Sequence, residues 1–186
     1  MEAIVLSGKK ELDIYMNPQR LNILWQMRVA GVPMSAKQIA DRVGISASSV
    51  QHHIRLLVEL GIVEQSHTAL IHGITTTYFH ALPKTVQIGS LMADEHTNQR
   101  IALMQANLNG IFNRFVDYCA VSSAETIGDH QFGDMISGIT HLTPSEAKEL
   151  YQMIRSFLDA HENRNSGTEA WEFAIIAYPV GQDQHE

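Results

Sequence analysis

Apolar residues recur at intervals of three and four along three segments in the first third of the chain, which predicts three short helices. Each segment opens with a residue whose side chain accepts hydrogen bonds from the first turn, and a glycine stops each one. The first helix also carries Pro18 at its first position, where proline is best tolerated. The predicted N-caps and terminating glycines are Asn17 and Gly31, Ser35 and Gly44, and Ser46 and Gly61.

The pattern becomes β-rich after the third helix. Residues 62–65 and 74–82 predict two strands around a turn, and residues 2–6 predict a short edge strand ahead of a helical turn over residues 10–15. Helices followed by a hairpin are typical of a winged helix-turn-helix domain. We therefore assign residues 1–83 to such a domain.

A heptad repeat of apolar residues runs from about residue 95 to residue 118 and predicts a long helix. Such a stripe is typical of helices that pair two subunits, so residues 84–121 are expected to form the dimerisation helix of a homodimer. The predicted dimerisation residues are Ile101, Met104, Leu108, Ile111 and Phe115.

Residues 122–186 are expected to form a small α/β accessory domain. Residues 132–142 and 171–180 predict strands, and the capping box that begins at Thr143 opens a helix between them. The predicted fold class is therefore α+β and mainly helical. Four aromatic residues of this part are candidates for a small-molecule effector pocket, with an ordinary apolar core as the alternative: Tyr151, Trp171, Phe173 and Tyr178.

The sizes of three residues favour a helix-turn-helix of the DNA-binding kind. Two helices cross closely only if the first presents a small residue, the turn tolerates a positive φ, and the second supplies a branched apolar residue. Ala40, Gly44 and Val50 meet these needs in that order, at the spacing of the DNA-binding motif.

The face of the third helix opposite its apolar stripe carries short polar and amide side chains. Such groups suit base edges and phosphates, and the helix N-terminus offers backbone N–H groups to a phosphate. A face that is merely solvated is the alternative. The predicted DNA-binding residues, with one from the preceding helix, are Lys37, Ser46, Ser48, Ser49, Gln51, His52 and Arg55.

The net charge of −7 is unevenly divided. Residues 1–83 hold seven basic and six acidic residues, whereas residues 84–186 hold six basic and fourteen acidic ones. Only the first part could approach a polyanion such as double-stranded DNA without net repulsion.

The sequence resembles the winged-helix module of the arsenic-repressor-like (ArsR-type) transcriptional regulators. The resemblance covers about residues 13–82 and lies in NPQRLNILWQM, SAKQIADRVGISASSVQHHIRLLVELGIVEQ and TTTYF. It implies a winged helix, a homodimer and repression relieved by a signal. Gln51 and His52 match the family's groove-facing pair, and His53 matches its following histidine. The segments LTPSEAKELYQMIRSFL and WEFAIIAYPV resemble the C-terminal extension of longer, non-metal members.

The chain departs from the family at the wing and at the metal sites. Residues 62–82 contain no Lys or Arg, where many relatives place basic residues that touch phosphate. The helix that carries the family's cysteine pair reads KQIA here, and a histidine site that begins at Asp94 and His96 would need ligands where Asn107 and Gly110 stand. No metal or other cofactor is expected.

Other chemistry finds little support in the sequence. The single cysteine, Cys119, excludes an intramolecular disulfide and is expected to be a small buried apolar residue. His53 is expected to be a packed, hydrogen-bonded residue at the edge of the core. Nucleophile-elbow, P-loop and dinucleotide motifs are absent, so no enzyme is expected, and no signal peptide or membrane span is recognisable, which favours the cytoplasm. The main alternative to a DNA-binding regulator is a winged helix that binds a protein instead.

Overall fold

The computed structural model describes residues 3–89, 94–122 and 134–180, in which helices and short strands alternate. The fold is α+β and mainly helical, as the sequence predicts. Its helices are α1 (Lys9–Tyr15), α2 (Pro18–Ala30), α3 (Ala36–Val43), α4 (Ala47–Glu59), α5 (Thr97–Ser122) and α6 (Pro144–Ala160). Its strands are β1 (Ala3–Val5), β2 (Met34–Ser35), β3 (Val63–Ile71), β4 (Ile74–Ala81) and β5 (Thr85–Gln87).

The core lies where α2, α3 and α4 meet the base of the β3–β4 hairpin. Ile23, Ile39, Val50 and Ile62 are fully buried there, one from each of these three helices and one just before β3. Leu103 of α5 joins the same cluster and is 1% exposed. The first turns of α5 are thus part of the winged-helix core.

The hairpin is longer than the sequence predicts. β3 extends to Ile71 instead of stopping near Gln65, and the turn consists of His72 and Gly73, both with positive φ (49° and 80°). Two such residues make a tight turn that matches the twist of the flanking strands. A bulge between Gln65 and His67 interrupts the polar–apolar alternation and hid the strand from the sequence pattern.

Two strands of two and three residues are additions to the predicted fold. β2 pairs antiparallel with β4 in the order β2–β4–β3, and β5 pairs in parallel with β1. Segments of this length are too short to show a two-residue period, so only their pairing reveals them. The β1–β5 sheet carries the winged-helix unit past Pro83, to Gln87.

The two strands predicted for the C-terminal part are wrong for its described residues. Residues 134–142 and 171–180 form no strand, while Phe132 and Gly133 lie outside the described residues. A strand needs a partner for its backbone hydrogen bonds, and neither segment pairs with another strand among the described residues. The predicted helix is present as α6, and its capping box is intact, with the Thr143 hydroxyl accepting the Glu146 N–H at 3.3 Å.

Among the residues that the structure describes, no helix combines the length and hydrophobicity needed to cross a bilayer.

Candidate nucleic-acid interface

The crossing of α3 and α4 has the predicted geometry. Gly44 adopts a left-handed conformation (φ 71°), and its N–H donates to the carbonyl of Ala40 at 2.9 Å. A Cβ built on Gly44 would meet no atom within 4 Å, so the turn requires glycine for its backbone angle and not for space. Ala40 is buried against the second helix, and Val50 is completely buried.

The opposite face of α4 is open to solvent. Ser48, Ser49, Gln51, His52 and Arg55 are all exposed, as a groove-facing stripe requires. Because the buried residues of α4 recur on its other side, this face cannot rotate inward without disrupting the core.

Three serines form a cluster at the N-terminus of α4. The Ser46 hydroxyl accepts the Ser49 N–H at 3.1 Å and lies 2.9 Å from the hydroxyl oxygens of both Ser48 and Ser49. Ser46 is therefore the N-cap, as predicted. Much of the hydrogen-bonding capacity of the cluster is used within the helix end, and the backbone N–H groups of the first turn remain close to its surface.

A cleft of about 350 Å³ lies between the start of α3, the exposed face of α4 and the beginning of β4. It brings together three of the predicted DNA-binding residues, Lys37, Gln51 and Arg55, and adds the hydroxyl-bearing Thr75–Thr77 of the wing. His52 lies outside this cleft, with its ring centroid 5.5 Å from that of His53. The threonines are the only wing residues with hydroxyl groups that line it.

The two cations of the cleft differ in their surroundings. Lys37 Nζ lies 3.0 Å from Asp41 Oδ1 in an exposed i, i+4 ion pair, and the neighbouring carboxylate weakens the attraction of Lys37 for an incoming anion. Arg55 forms neither an ion pair nor a hydrogen bond with the part of the chain that the structure describes, and its side chain is exposed. Arg55 is therefore the cation that is free to meet a phosphate.

His53 is half-buried, as predicted, but the predicted hydrogen bond is wrong for one ring nitrogen. Its Nδ1 is buried and finds no partner within residues 3–89, 94–122 and 134–180. Burial lowers the pKa of the imidazole, and the nearby charges of Arg20 and His52 lower it further. The ring thus favours the neutral form, and it is not part of the exposed face of α4.

We expect this shift to make stability depend on pH. Because the folded-state pKa lies below the ordinary value of about 6.5, the unfolded chain binds the proton first, and stability is lost as the pH falls below about 6.5. His53→Gln should lose less unfolding free energy than the wild type between pH 8 and pH 5 in urea denaturation. The exposed His141→Gln is the matched control and should follow the wild type; equal curves for all three proteins would contradict the assignment.

The wing ends in apolar side chains instead of basic ones. Leu70 and Ile74 are 72% and 70% exposed, and Ile71 is 43% exposed. Lower on the hairpin, the His67 ring stacks on Tyr78 with centroids 4.6 Å apart, and its Nδ1 lies 3.1 Å from the Ser66 hydroxyl. His67 is thus engaged within the wing, a pairing that the bulge creates and that sequence spacing did not reveal.

The predicted dimerisation residues lie on one stripe of α5 but differ in exposure. Ile101 and Leu108 are exposed, whereas Met104, Ile111 and Phe115 are half-buried within their own chain. Two residues that the heptad assignment missed are also exposed apolar residues, at a spacing of four from Leu108 and from each other. The open apolar stripe of α5 is Ile101, Leu108, Phe112 and Val116.

The C-terminal segment is joined to the winged helix through two arginines. Arg114 of α5 binds both carboxylate oxygens of Glu172, at 2.8 and 2.7 Å, and its guanidinium lies 5.3 Å from the ring centre of Trp25 in α2. Arg164 Nη1 donates to the carbonyl of Ala30 at 2.6 Å. These contacts connect the C-terminal segment to α2 and α5.

A Cβ on Gly110 would lie 3.3 Å from Arg114 Nη1. Glycine at this position therefore leaves room for the guanidinium to turn back along the helix, and α5 stays continuous through it.

The candidate effector residues are exposed and belong to no buried cluster of the described residues. Trp171, Phe173 and Tyr178 are 60%, 55% and 73% exposed, and Tyr151 donates from its hydroxyl to the Ala177 carbonyl at 2.7 Å. Cys119 is exposed as well, so the prediction of a buried thiol is wrong. Both findings have one cause, because no other described element buries the second half of α5 or α6.

No group of three or more metal-ligating side chains occurs within the part of the chain that the structure describes. The Asp94 carboxylate, at the start of the family's histidine site, instead accepts hydrogen bonds from the His96 N–H at 2.9 Å and from Arg100 Nη2 at 3.0 Å.

One family model matches the N-terminal part of the chain. A model of the family described as a helix-turn-helix domain matches residues 15–66, from the end of α1 to the first residues of β3. A possible transcriptional regulator from Methanosarcina mazei Go1 is a similar solved structure, with 14% identity over 59% of this chain and 83% of that one and a TM-score of 0.35. The adhesin competence repressor from Streptococcus pyogenes is another, with 15% identity over 81% and 84% and a TM-score of 0.32. No protein of curated function matches significantly.

Proposed function

We propose that the chain is a sequence-specific, DNA-binding transcriptional regulator of the ArsR type that acts as a homodimeric repressor. The observation that carries the proposal is the exposed N-terminal half of α4 beside a cleft that holds Lys37 and Arg55. In a helix-turn-helix, the N-terminal residues of the second helix reach the base edges of the major groove. Those of α4 are hydroxyl, amide and imidazole groups, which suit that task.

The residues of the interface divide into two roles. Gln51 and His52 stand where base edges would lie, and a glutamine amide can bind adenine through two hydrogen bonds. Arg55, Lys37 and the N–H groups of the Ser46-capped first turn are suited to phosphates, which fix register and supply most of the affinity.

The proposed homodimer rests on α5. Leu103 anchors this helix in the winged-helix core, and the four large apolar side chains of its open stripe are left exposed by the described residues. Pairing two such stripes would set two α4 helices about one DNA turn apart on a pseudo-palindromic operator. The repressor role is supported by the resemblance of residues 13–82 to ArsR-type regulators.

A second function is favoured by one observation. The wing tip is apolar and its hairpin holds no Lys or Arg, which suits a protein surface better than a phosphate backbone. The alternative is therefore a winged helix that docks on another protein and has no DNA target.

Selection from a random duplex library, followed by a salt series on the enriched sequence, separates the two functions. For DNA binding, the logarithm of the affinity should fall linearly with the logarithm of salt concentration, by about 0.9 per phosphate contact. A protein that enriches no sequence at low salt would overturn the proposal and favour the protein-docking function.

Arg55→Ala is expected to weaken binding to cognate and random duplexes by the same factor. Its guanidinium would contact a phosphate, so the slope of the salt plot should fall by about one for each Arg55 removed. Fluorescence anisotropy at four salt concentrations measures both quantities. Arg155→Ala, which removes an exposed arginine of α6, is the matched control. If the variant changes the order of affinities among DNA sequences and keeps the slope of the salt plot, Arg55 contacts a base and not a phosphate.

A further inference from the structure

The most completely buried charged side chain in the described ranges belongs to Arg100, in the first turns of α5. Only 1% of it is exposed, although it stands at the point where the long helix leaves the winged helix. An isolated buried guanidinium costs several kcal/mol, so its partners must compensate for the lost water.

The guanidinium binds three separate segments of the chain. Nη1 donates to the carbonyls of Leu6 and Ile88, and Nη2 donates to the carbonyl of Ser7 at 3.3 Å and to Asp94 Oδ2 at 3.0 Å. Leu6 and Ile88 directly follow the paired strands β1 and β5, whose last hydrogen bond runs from the Leu6 N–H to the Gln87 carbonyl at 3.0 Å. One side chain thus ties the ends of both strands to α5.

Asp94 completes the joint from the other side. One carboxylate oxygen accepts the His96 N–H, the other accepts Arg100, and the Asp94 carbonyl accepts the Thr97 hydroxyl at 2.8 Å. The bond from Arg100 is the main cause that lowers the pKa of this carboxyl. A neighbouring contact joins Gln99 of α5 to Asp13 of α1, with 2.7 Å between the amide nitrogen and the carboxylate oxygen.

We propose that Arg100 is a positioning residue that fixes the direction in which α5 leaves the winged helix, and through it the separation of the two recognition helices in a dimer. The role in the separation of the recognition helices rests on the proposed function, whereas the role in the direction of α5 does not. An α5 that pivots at its root would move α4 relative to the dimer seam, because the seam begins only at Ile101.

Arginine suits this role through its shape as well as its charge. Its planar fork presents five N–H donors in fixed directions, which lets it hold three carbonyls and a carboxylate at once. A lysine ammonium keeps the charge but has three donors on one atom, so it cannot span the same acceptors. Arg100→Lys should therefore behave as a loss of the joint.

The distance between α4 and α5 within one chain tests the proposal without DNA. Spin labels are attached to native Cys119 and to Ser48→Cys, both exposed positions, and the labelled protein is diluted in unlabelled wild type so that only pairs within a chain contribute. Pulsed dipolar spectroscopy should give one narrow distance for the wild-type joint. Arg100→Lys and Asp94→Asn should broaden or shift it.

Glu95→Gln is the matched control, because it changes the adjacent carboxylate, whose side chain is 86% exposed, and should leave the distance unchanged. Asp94→Asn removes one of the four acceptors only, so it decides the question if Arg100→Lys does not fold. Folded variants that keep the narrow wild-type distance would overturn the proposal, whatever their stability.

A DNA-binding experiment tests whether Arg100 sets the separation of the two recognition helices. Binding to two half-sites at once raises the apparent affinity about 10²–10⁴-fold over binding to one, but only at a spacing that the dimer can span. In Arg100→Lys, the preference for the best spacing over one lengthened by half a turn should fall about tenfold, while affinity for a single half-site stays as in the wild type. An unchanged spacing preference would overturn the role of Arg100 in the separation of the recognition helices. Absence of any DNA binding would refute the proposed function, but the spin-label distances would still test the role of Arg100 in the direction of α5.

Discussion

Leu108→Glu is expected to convert the proposed dimer into monomers and to weaken binding to its selected DNA site about 100-fold or more. Leu108 lies in the middle of the open apolar stripe of α5 and is 40% exposed in one chain. In a paired stripe, the new carboxylate would face its own copy and be removed from water without a partner, which costs more than the lost leucine contacts. Loss of the second half-site removes the avidity gain of about 10²–10⁴-fold.

Sedimentation equilibrium gives the mass, and anisotropy with an operator duplex gives the affinity. Asn113→Glu is the matched control, since it adds the same charge to an exposed position of α5 outside the stripe. It should remain dimeric. A folded Leu108→Glu protein with the mass of a dimer would show that α5 is not the dimer interface. The interface would then be sought at α6 and residues 171–180.

The helix-turn-helix could be predicted because local rules determine it. The caps Ser35 and Ser46, the left-handed Gly44 and the inward Val50 are each encoded within a few residues of where they act. Competition from distant segments does not alter them, so residue size and spacing were sufficient. The exposed face of α4 followed from the same periodicity.

The parts that the sequence did not reveal depend on distant partners. The joint at Arg100 requires that β1 and β5, which are about eighty residues apart, pair in parallel; nothing in the surrounding sequence marks this arginine as buried. The predicted strand at residues 171–180 has the right composition but pairs with no strand among the described residues. The heptad assignment for α5 failed to include Phe112 and Val116, because the half-buried side of the helix depends on where its own C-terminal segment lies.

The same reasoning explains why exposed apolar surface accumulates after α5. Ile136 and Ile139 are 95% and 80% exposed, and α6 has no buried residue among those described. Large contiguous apolar patches are rare on the surfaces of soluble monomers and often mark an interface. Pairing of a second copy along α5 would bring a second set of these residues near the first, which supports an interface that extends beyond the helix.

Gln51→Ala and His52→Ala are expected to reduce discrimination between cognate and random duplexes by about 1–3 kcal/mol each, which is about 5- to 150-fold. Gln51 lines the cleft beside Arg55, and His52 lies beside it on the exposed face. If these side chains contact base edges, their removal leaves phosphate contacts in place, so affinity for random DNA should change little. The selective loss is what distinguishes base contact from general weakening.

Competition binding of cognate duplex against random duplex measures the ratio directly for each variant. Val58→Ala is the matched control, because Val58 is 40% exposed and lies seven residues after Gln51, on the same side of α4 but two turns beyond the part of the helix that reaches bases. It should keep the wild-type ratio. If Gln51→Ala and His52→Ala also keep it while binding remains strong, the bases are read by another element, and α4 serves only to position the domain on the phosphate backbone.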